Sequence, residues 1–218
     1  PEDALCMRPS TVLFDLDGTL IDHFTAIFRS HAHAMKQLGL PAPTMAQVRR
    51  VVGGGLESAI AQLAGREHVA AALPIYRAYW DATMLDDVVL LPGARELLTA
   101  LHARGTKLAV ITNKLGVSSR LICTHLGIAP LLDGVFGAKD TPWLKPQAEF
   151  AAHVLAQLGA VPATTILVGD SPYDVLAAHN GGLPCWAVTT GTHSAGELRA
   201  ARADAVFADL HAVAAALD

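Results

Sequence analysis

Long apolar runs are missing from this sequence. None approaches the roughly 18 residues that a membrane-spanning helix requires, so no transmembrane segment is expected. Basic clusters are missing too. Sixteen Lys and Arg stand against 20 Asp and Glu, a formal net charge of −4, with no basic stripe for nucleic acid and no run of like charges for a solvated tail. The first residues lack a basic stretch followed by an apolar one, so no signal peptide is expected and the location expected is cytoplasmic. Cysteine is scarce: Cys6, Cys123 and Cys185 are widely spaced and odd in number, which fits reduced, mostly buried thiols rather than a disulfide framework. Cys123 and His125 have no second ligand pair nearby, so packing is the better reading there than zinc. Internal repeats and low-complexity linkers are also lacking.

What is present is core-forming material. With 218 residues, 52% hydrophobic and only 17% charged, the chain can fill one large domain or a domain carrying an insertion. Short β-branched runs alternate with helical periods. The strand segments are 11–15, 107–112, 134–138, 165–169, 185–189 and 205–208. Among the helical ones, Ala94, Leu97, Leu98 and Leu101 share a face that stops at Gly105, and Phe150, Val154, Leu155 and Leu158 share another, entered by Pro146 and closed by Gly159. A third helix begins at Ser171-Pro172 and ends at Asn180-Gly181, and Ser194 with Glu197 reads as a capping box opening a fourth. Such alternation predicts an α/β fold, a Rossmann-like parallel sheet covered by helices on both faces.

One region breaks the alternation. Between 22 and 90 no convincing strand can be found, only helical patterns. A helix ends in the stretch 38–43, Thr44 can cap the next, and Gly53-Gly54-Gly55 interrupts the segment again. The expected organisation is therefore a core domain, 1–21 and 91–218, with a helical cap domain, 22–90, inserted after the first strand.

Chemistry gathers at the carboxyl ends of the strands, where open α/β sheets hold their ligands. The first strand runs into Asp15-Leu16-Asp17-Gly18-Thr19, the second into Thr112-Asn113-Lys114, and the fourth into Gly169-Asp170-Ser171-Pro172-Tyr173-Asp174, while Lys145-Pro146 opens a helix after the third. Carboxylates converging this way repel one another unless a cation sits among them, and a hard divalent ion with oxygen ligands, Mg²⁺ beside phosphate, is the natural one. Asp15 and Asp17 are two apart in an extended backbone and so share a face. One can act as a nucleophile while the other donates and then removes a proton. Gly18 lets the chain turn away without a side chain in the cleft.

Four motifs in this order resemble those of the haloacid dehalogenase superfamily phosphatases, over nearly the whole chain. The resemblance implies that Asp15 is the nucleophile, carrying an aspartyl-phosphate, and that Asp17 is the acid–base. Thr112 would bond the transferring phosphoryl group and Lys145 would balance its charge. Mg²⁺ would lie on Asp15, the backbone carbonyl of Asp17, and Asp170. Asp174 would support the metal, cap its own helix, or do both. Thr19, Asn113, His23 and Gly54 are candidate substrate contacts, His23 with a plain hinge role as the alternative and the glycine run with a simple break between helices. His31 and His33, two apart on a helix, are poor joint ligands.

The same resemblance separates relatives. An acid at Asp17 favours phosphate esters over haloacids. Schiff-base chemistry would need a cap lysine, and Lys36, the sole lysine from 22 to 90, reads as buried in a helical pattern. Mutases typically carry a hydrophobic residue where Thr19 stands. "VITNK" (110–114) and "VVGGGLESAI" (51–60) resemble phosphoglycolate phosphatases, although His23 stands where that group has Ser and Ala148 lies near where it has a second Pro. The expected enzyme is a Mg²⁺-dependent phosphatase, monomer or homodimer, acting on a small phosphorylated metabolite such as phosphoglycolate or a sugar phosphate. The alternatives are a phosphosugar mutase and a non-catalytic phosphate-binding module.

Overall fold

The computed structural model describes residues 8–217; Cys6 lies outside them. Among the described residues a six-stranded parallel sheet is built from β1 (Thr11–Phe14), β4 (Lys107–Leu115), β5 (Gly134–Ala138), β6 (Thr165–Gly169), β7 (Cys185–Val188) and β8 (Ala205–Phe207), in the spatial order β5-β4-β1-β6-β7-β8. The period of two along the strands explains its two faces. Val12, Phe14, Val110, Ile166 and Val168 join one apolar cluster, while Leu13, Ala109, Ile111 and Leu167 join the other. α5 (Ala94–Ala103) and α10 (Leu210–Leu217) cover the first face through Leu97, Leu101, Leu210 and Val213. α7 (Ala148–Leu158) and α8 (Pro172–Asn180) cover the second through Phe150, Val154 and Val175. Being buried on both faces, β1 carries no polar residue between Val12 and Phe14, and each such side chain contributes about 1.5–3 kcal/mol on burial.

Between β1 and β4 the chain leaves the sheet for α1 (Phe24–Gln37), α2 (Met45–Val51), α3 (Leu56–Ala64) and α4 (Val69–Thr83). Thr44 caps α2 in a reciprocal box with Gln47, and positive φ at Gly53 and Gly55 turns the chain between α2 and α3. None of the helices is long and apolar enough to cross a membrane, among the described residues.

Four local expectations need correction. A short antiparallel ladder, β2 (Ile21–Asp22) with β3 (Val89–Leu90), stands where no strand was expected; two residues per strand are too few to show a period. β4 continues past Thr112 to Leu115 through an irregularity in its pairing with β5, and α7 starts at Ala148 with Gln147 at its N-cap rather than at Pro146. Lys36 is exposed, bordering a shallow groove with Phe28, His33 and Tyr79 instead of lying buried.

Candidate active site

β1 lies between β4 and β6, so the carboxyl ends of three adjacent strands meet at the centre of the sheet, where the connections leave in opposite directions. Asp15 follows β1 directly and extends its ladder by one bond, its N–H donating to the Val168 carbonyl at 2.9 Å. Asp170 follows β6, and Asp174 stands in the first turn of α8. Gly169 makes the last placement possible, since a Cβ there would come 2.2 Å from the Asp174 carboxyl carbon. Oxygens of Asp15, Asp170 and Asp174 lie within 4.8 Å of one another, and all three residues are buried.

Each carboxylate is held differently. Lys145 Nζ donates to Asp15 Oδ1 and to Asp174 Oδ1, both at 2.7 Å. The other Asp174 oxygen accepts from the Ser171 N–H at 3.0 Å and the Ser171 hydroxyl at 2.6 Å, so Asp174 both caps α8 and faces the cluster. Asp170 Oδ2 accepts from the Thr192 N–H at 2.7 Å and hydroxyl at 2.8 Å. The backbone packs tightly around it: a Cβ on Gly18, at φ +83°, would sit 2.8 Å from Asp170 Oδ2.

One ammonium does not neutralise three buried carboxylates. Burial raises the Asp15 pKa to about 6, with Lys145 opposing and Asp174 reinforcing the rise. Asp170 is also pushed well above the ordinary carboxylate range, by burial first and then by Asp174 and Asp15. A group of oxygen donors with uncompensated negative charge fits a hard divalent cation such as Mg²⁺.

Asp17 belongs to a different environment. Its carboxylate is not one of the three clustered groups; Oδ2 accepts from Lys114 Nζ at 2.7 Å, and Oδ1 lies 3.6 Å from His23 Nδ1. Burial would raise its pKa, but the Lys114 charge, followed by the contacts with His23, outweighs it and keeps Asp17 ionised. Lys114 in turn rests over the Trp80 ring, 4.5 Å from the centroid. No sequence-based role was given to Lys114. Its position next to Thr112-Asn113 at a strand end was the available signal, but its partner is 97 residues away.

The candidate substrate contacts fall into two groups. Gly54 and Asn113 line a cavity of about 410 Å³ between the helical segment and the strand ends, together with Thr112 and the two aspartates that follow β1, Asp15 and Asp17. Asn113 spends its amide on the backbone, with Nδ2 donating to the Gly53 and Lys145 carbonyls and Oδ1 accepting from the Lys145 N–H. It thereby ties the glycine run to the loop that carries Lys145. A Cβ on Gly54 would meet the Tyr173 hydroxyl at 2.8 Å, so the run lies against the start of α8. Thr19 and His23 are buried outside that lining; His23 Nε2 is 2.6 Å from the Met84 carbonyl, at the end of α4.

A family model for haloacid dehalogenase-like hydrolases matches residues 12–188, a span that contains every one of these groups except Thr192. The chain belongs to that family. Among similar proteins is a 5'-nucleotidase of Pseudomonas aeruginosa, 32% identical and covering 97% of each chain. A phosphoglycolate phosphatase of Yersinia pseudotuberculosis is 32% identical, over 91% of this chain and 90% of its own. In three dimensions the haloacid dehalogenase-like protein SP0104 of Streptococcus pneumoniae superimposes with a TM-score of 0.87, 28% identity, and coverage of 96% and 99%.

Proposed function

We propose that this protein is a Mg²⁺-dependent phosphomonoesterase working through an aspartyl-phosphate on Asp15. The observation that carries the reading is the buried carboxylate cluster with Lys145 bonded to Asp15 at 2.7 Å, Asp15 itself lining a cavity large enough for a small metabolite. Relatives of similar length named for phosphomonoester hydrolysis support it.

Asp15 supplies the attacking carboxylate oxygen, forming a P–O bond as the ester P–O bond breaks. Lys145 favours its ionised form and leaves the other oxygen free to attack. Mg²⁺, held by Asp15, Asp170 and the Asp17 carbonyl with Asp174 behind them, would supply positive charge for the phosphoryl oxygens. Thr112, buried in the last half of β4, donates to the same group. Positioning and electrostatics of this kind carry most of phosphoryl transfer. Asp17 starts ionised beside Lys114. It takes up a proton from solvent, delivers it to the leaving oxygen and, ionised again, removes a proton from the water that hydrolyses the acyl phosphate. The helices from 24 to 83 act as a cap on the β2–β3 ladder, with His23 linking Asp17 to Met84 at that hinge.

Turnover of 4-nitrophenyl phosphate with Mg²⁺ or with chelator tests the proposal. Activity is expected only with the metal and falls on the order of 10³-fold or more in Asp15→Asn. Substantial activity in that variant would remove Asp15 from the nucleophile's role.

A further inference from the structure

The leaving-group end of the cavity has a character that phosphoryl chemistry alone does not require. Its inner wall is aromatic. Tyr76 and Trp80, one turn apart on α4, lie nearly parallel with centroids 5.9 Å apart and an interplanar angle of 15°. His31 of α1 leans on Tyr76 at 4.7 Å. All three line the cavity and are buried. Trp80 is held in place by its indole N–H, which donates to the Ser118 hydroxyl at 3.3 Å, so the wall is preorganised.

The wall begins at the proton-transfer residue. Lys114 is bonded to Asp17 and rests over Trp80, so a leaving oxygen beside Asp17 directs the rest of its group along Trp80 and Tyr76. The interior offers no cation for a second anionic group. Among the described lining residues, Arg77 and Lys139 are exposed at the rim and Lys114 is bonded to Asp17, while Lys145, outside the lining, is bonded to Asp15 and Asp174. Burial drops the His31 pKa to about 4, so that ring is neutral at physiological pH. A leaving group bearing its own carboxylate would be desolvated there without a partner, a strongly unfavourable arrangement. The volume of about 410 Å³ lies within the range of pockets for whole small molecules rather than two-carbon fragments.

We propose that the leaving group selected by this cavity is an uncharged alcohol bearing an aromatic or heteroaromatic ring, seated against Tyr76 and Trp80. The proposal rests on the phosphomonoesterase reading of the carboxylate cluster and specifies its substrate class. Offset stacking on preorganised rings supplies the selection.

Benzyl phosphate, cyclohexylmethyl phosphate and phosphoglycolate test it directly, because the first two share size and attachment and differ in aromaticity. The expected order of kcat/KM places benzyl phosphate a few-fold to about tenfold above cyclohexylmethyl phosphate, the span of one aromatic pair. Phosphoglycolate is expected at least about tenfold below benzyl phosphate, since its carboxylate would be left without a partner. Tyr76→Leu should shrink the benzyl advantage over cyclohexylmethyl toward unity. Phosphoglycolate turned over as well as benzyl phosphate, or a wild-type protein indifferent to aromaticity, overturns the proposal whether or not the variant folds. If no ester is hydrolysed, the phosphomonoesterase reading fails separately, and calorimetry with benzylphosphonate and phosphonoacetate still decides the seat. Tighter binding of benzylphosphonate supports it; equal or reversed affinities sink it.

Discussion

Replacing Lys145 with methionine removes the ammonium that bridges Asp15 and Asp174, each 2.7 Å away, and leaves three carboxylates within 4.8 Å. Burial alone would lower the Lys145 pKa, but Asp15 and then Asp174 hold it above the ordinary lysine value, so the wild-type group is charged. Breaking a buried ion pair from one side typically costs about 3–5 kcal/mol. For a chain of 218 residues, at ~2–4 °C per kcal/mol, the expected loss in Tm is about 6–20 °C. The pH dependence follows from Asp15, whose pKa already stands at about 6 against an ordinary 3.8. Without Lys145 it rises further. The folded variant then binds more protons than the unfolded chain between about pH 4 and the raised value, so its stability falls as pH rises through that window. Thermal unfolding in chelator should show a larger deficit at pH 8 than at pH 5, partly repaired by a second change, Asp174→Asn. A Tm within about 2 °C of wild type at both pH values would refute the reasoning.

The same linkage predicts how the unsubstituted protein responds to metal. Asp15 and Asp170 both have raised pKa values, so metal-free stability should decline from pH 4 to pH 6, and thermal stabilisation by Mg²⁺ should be larger at pH 7.5 than at pH 5; equal shifts would count against a carboxylate site for the ion. Lys114→Met removes the charge that keeps Asp17 ionised, so the acid limb of the kcat profile should move to higher pH and kcat should fall by about tenfold or more, whereas an unshifted limb would separate Lys114 from Asp17. Gly18→Ala places a Cβ 2.8 Å from both Asp170 Oδ2 and the Gly191 backbone at φ +83°, which should destabilise by about 1–3 kcal/mol and weaken Mg²⁺ binding, as calorimetry and thermal unfolding would register.

Much of the fold was legible because its signals are local. The buried run of β1, the Gly159 stop of α7 and the Ser194–Glu197 box that opens α9 (Ala195–Ala200) all act within a few residues of themselves. The spacing of Asp15 and Asp17 could likewise be read as chemistry before any neighbour was known. What stayed hidden depends on contacts across the chain. Lys114 looks like any strand-end lysine until the fold sets it against Asp17, and Tyr76 and Trp80 look like ordinary helix-face aromatics until α4 is placed over the strand ends. Tertiary placement also explains how Pro74 lies inside α4: the helix is held by burial of Ala72, Tyr76 and Trp80, which outweighs a local breaker. The pairing of Ile21–Asp22 with Val89–Leu90 escaped for the opposite reason, being too short to leave a pattern.

The central claim is that Asp15 is the nucleophile. Acid quenching during steady turnover of an aryl phosphate, followed by peptide mass spectrometry, tests it most directly. The account predicts a phosphoryl group on the peptide containing Asp15, absent in Asp15→Asn and in chelator. Rapid turnover with Asp15 unmodified, and the phosphoryl group either on another residue or retained by Asp15→Asn, would contradict it.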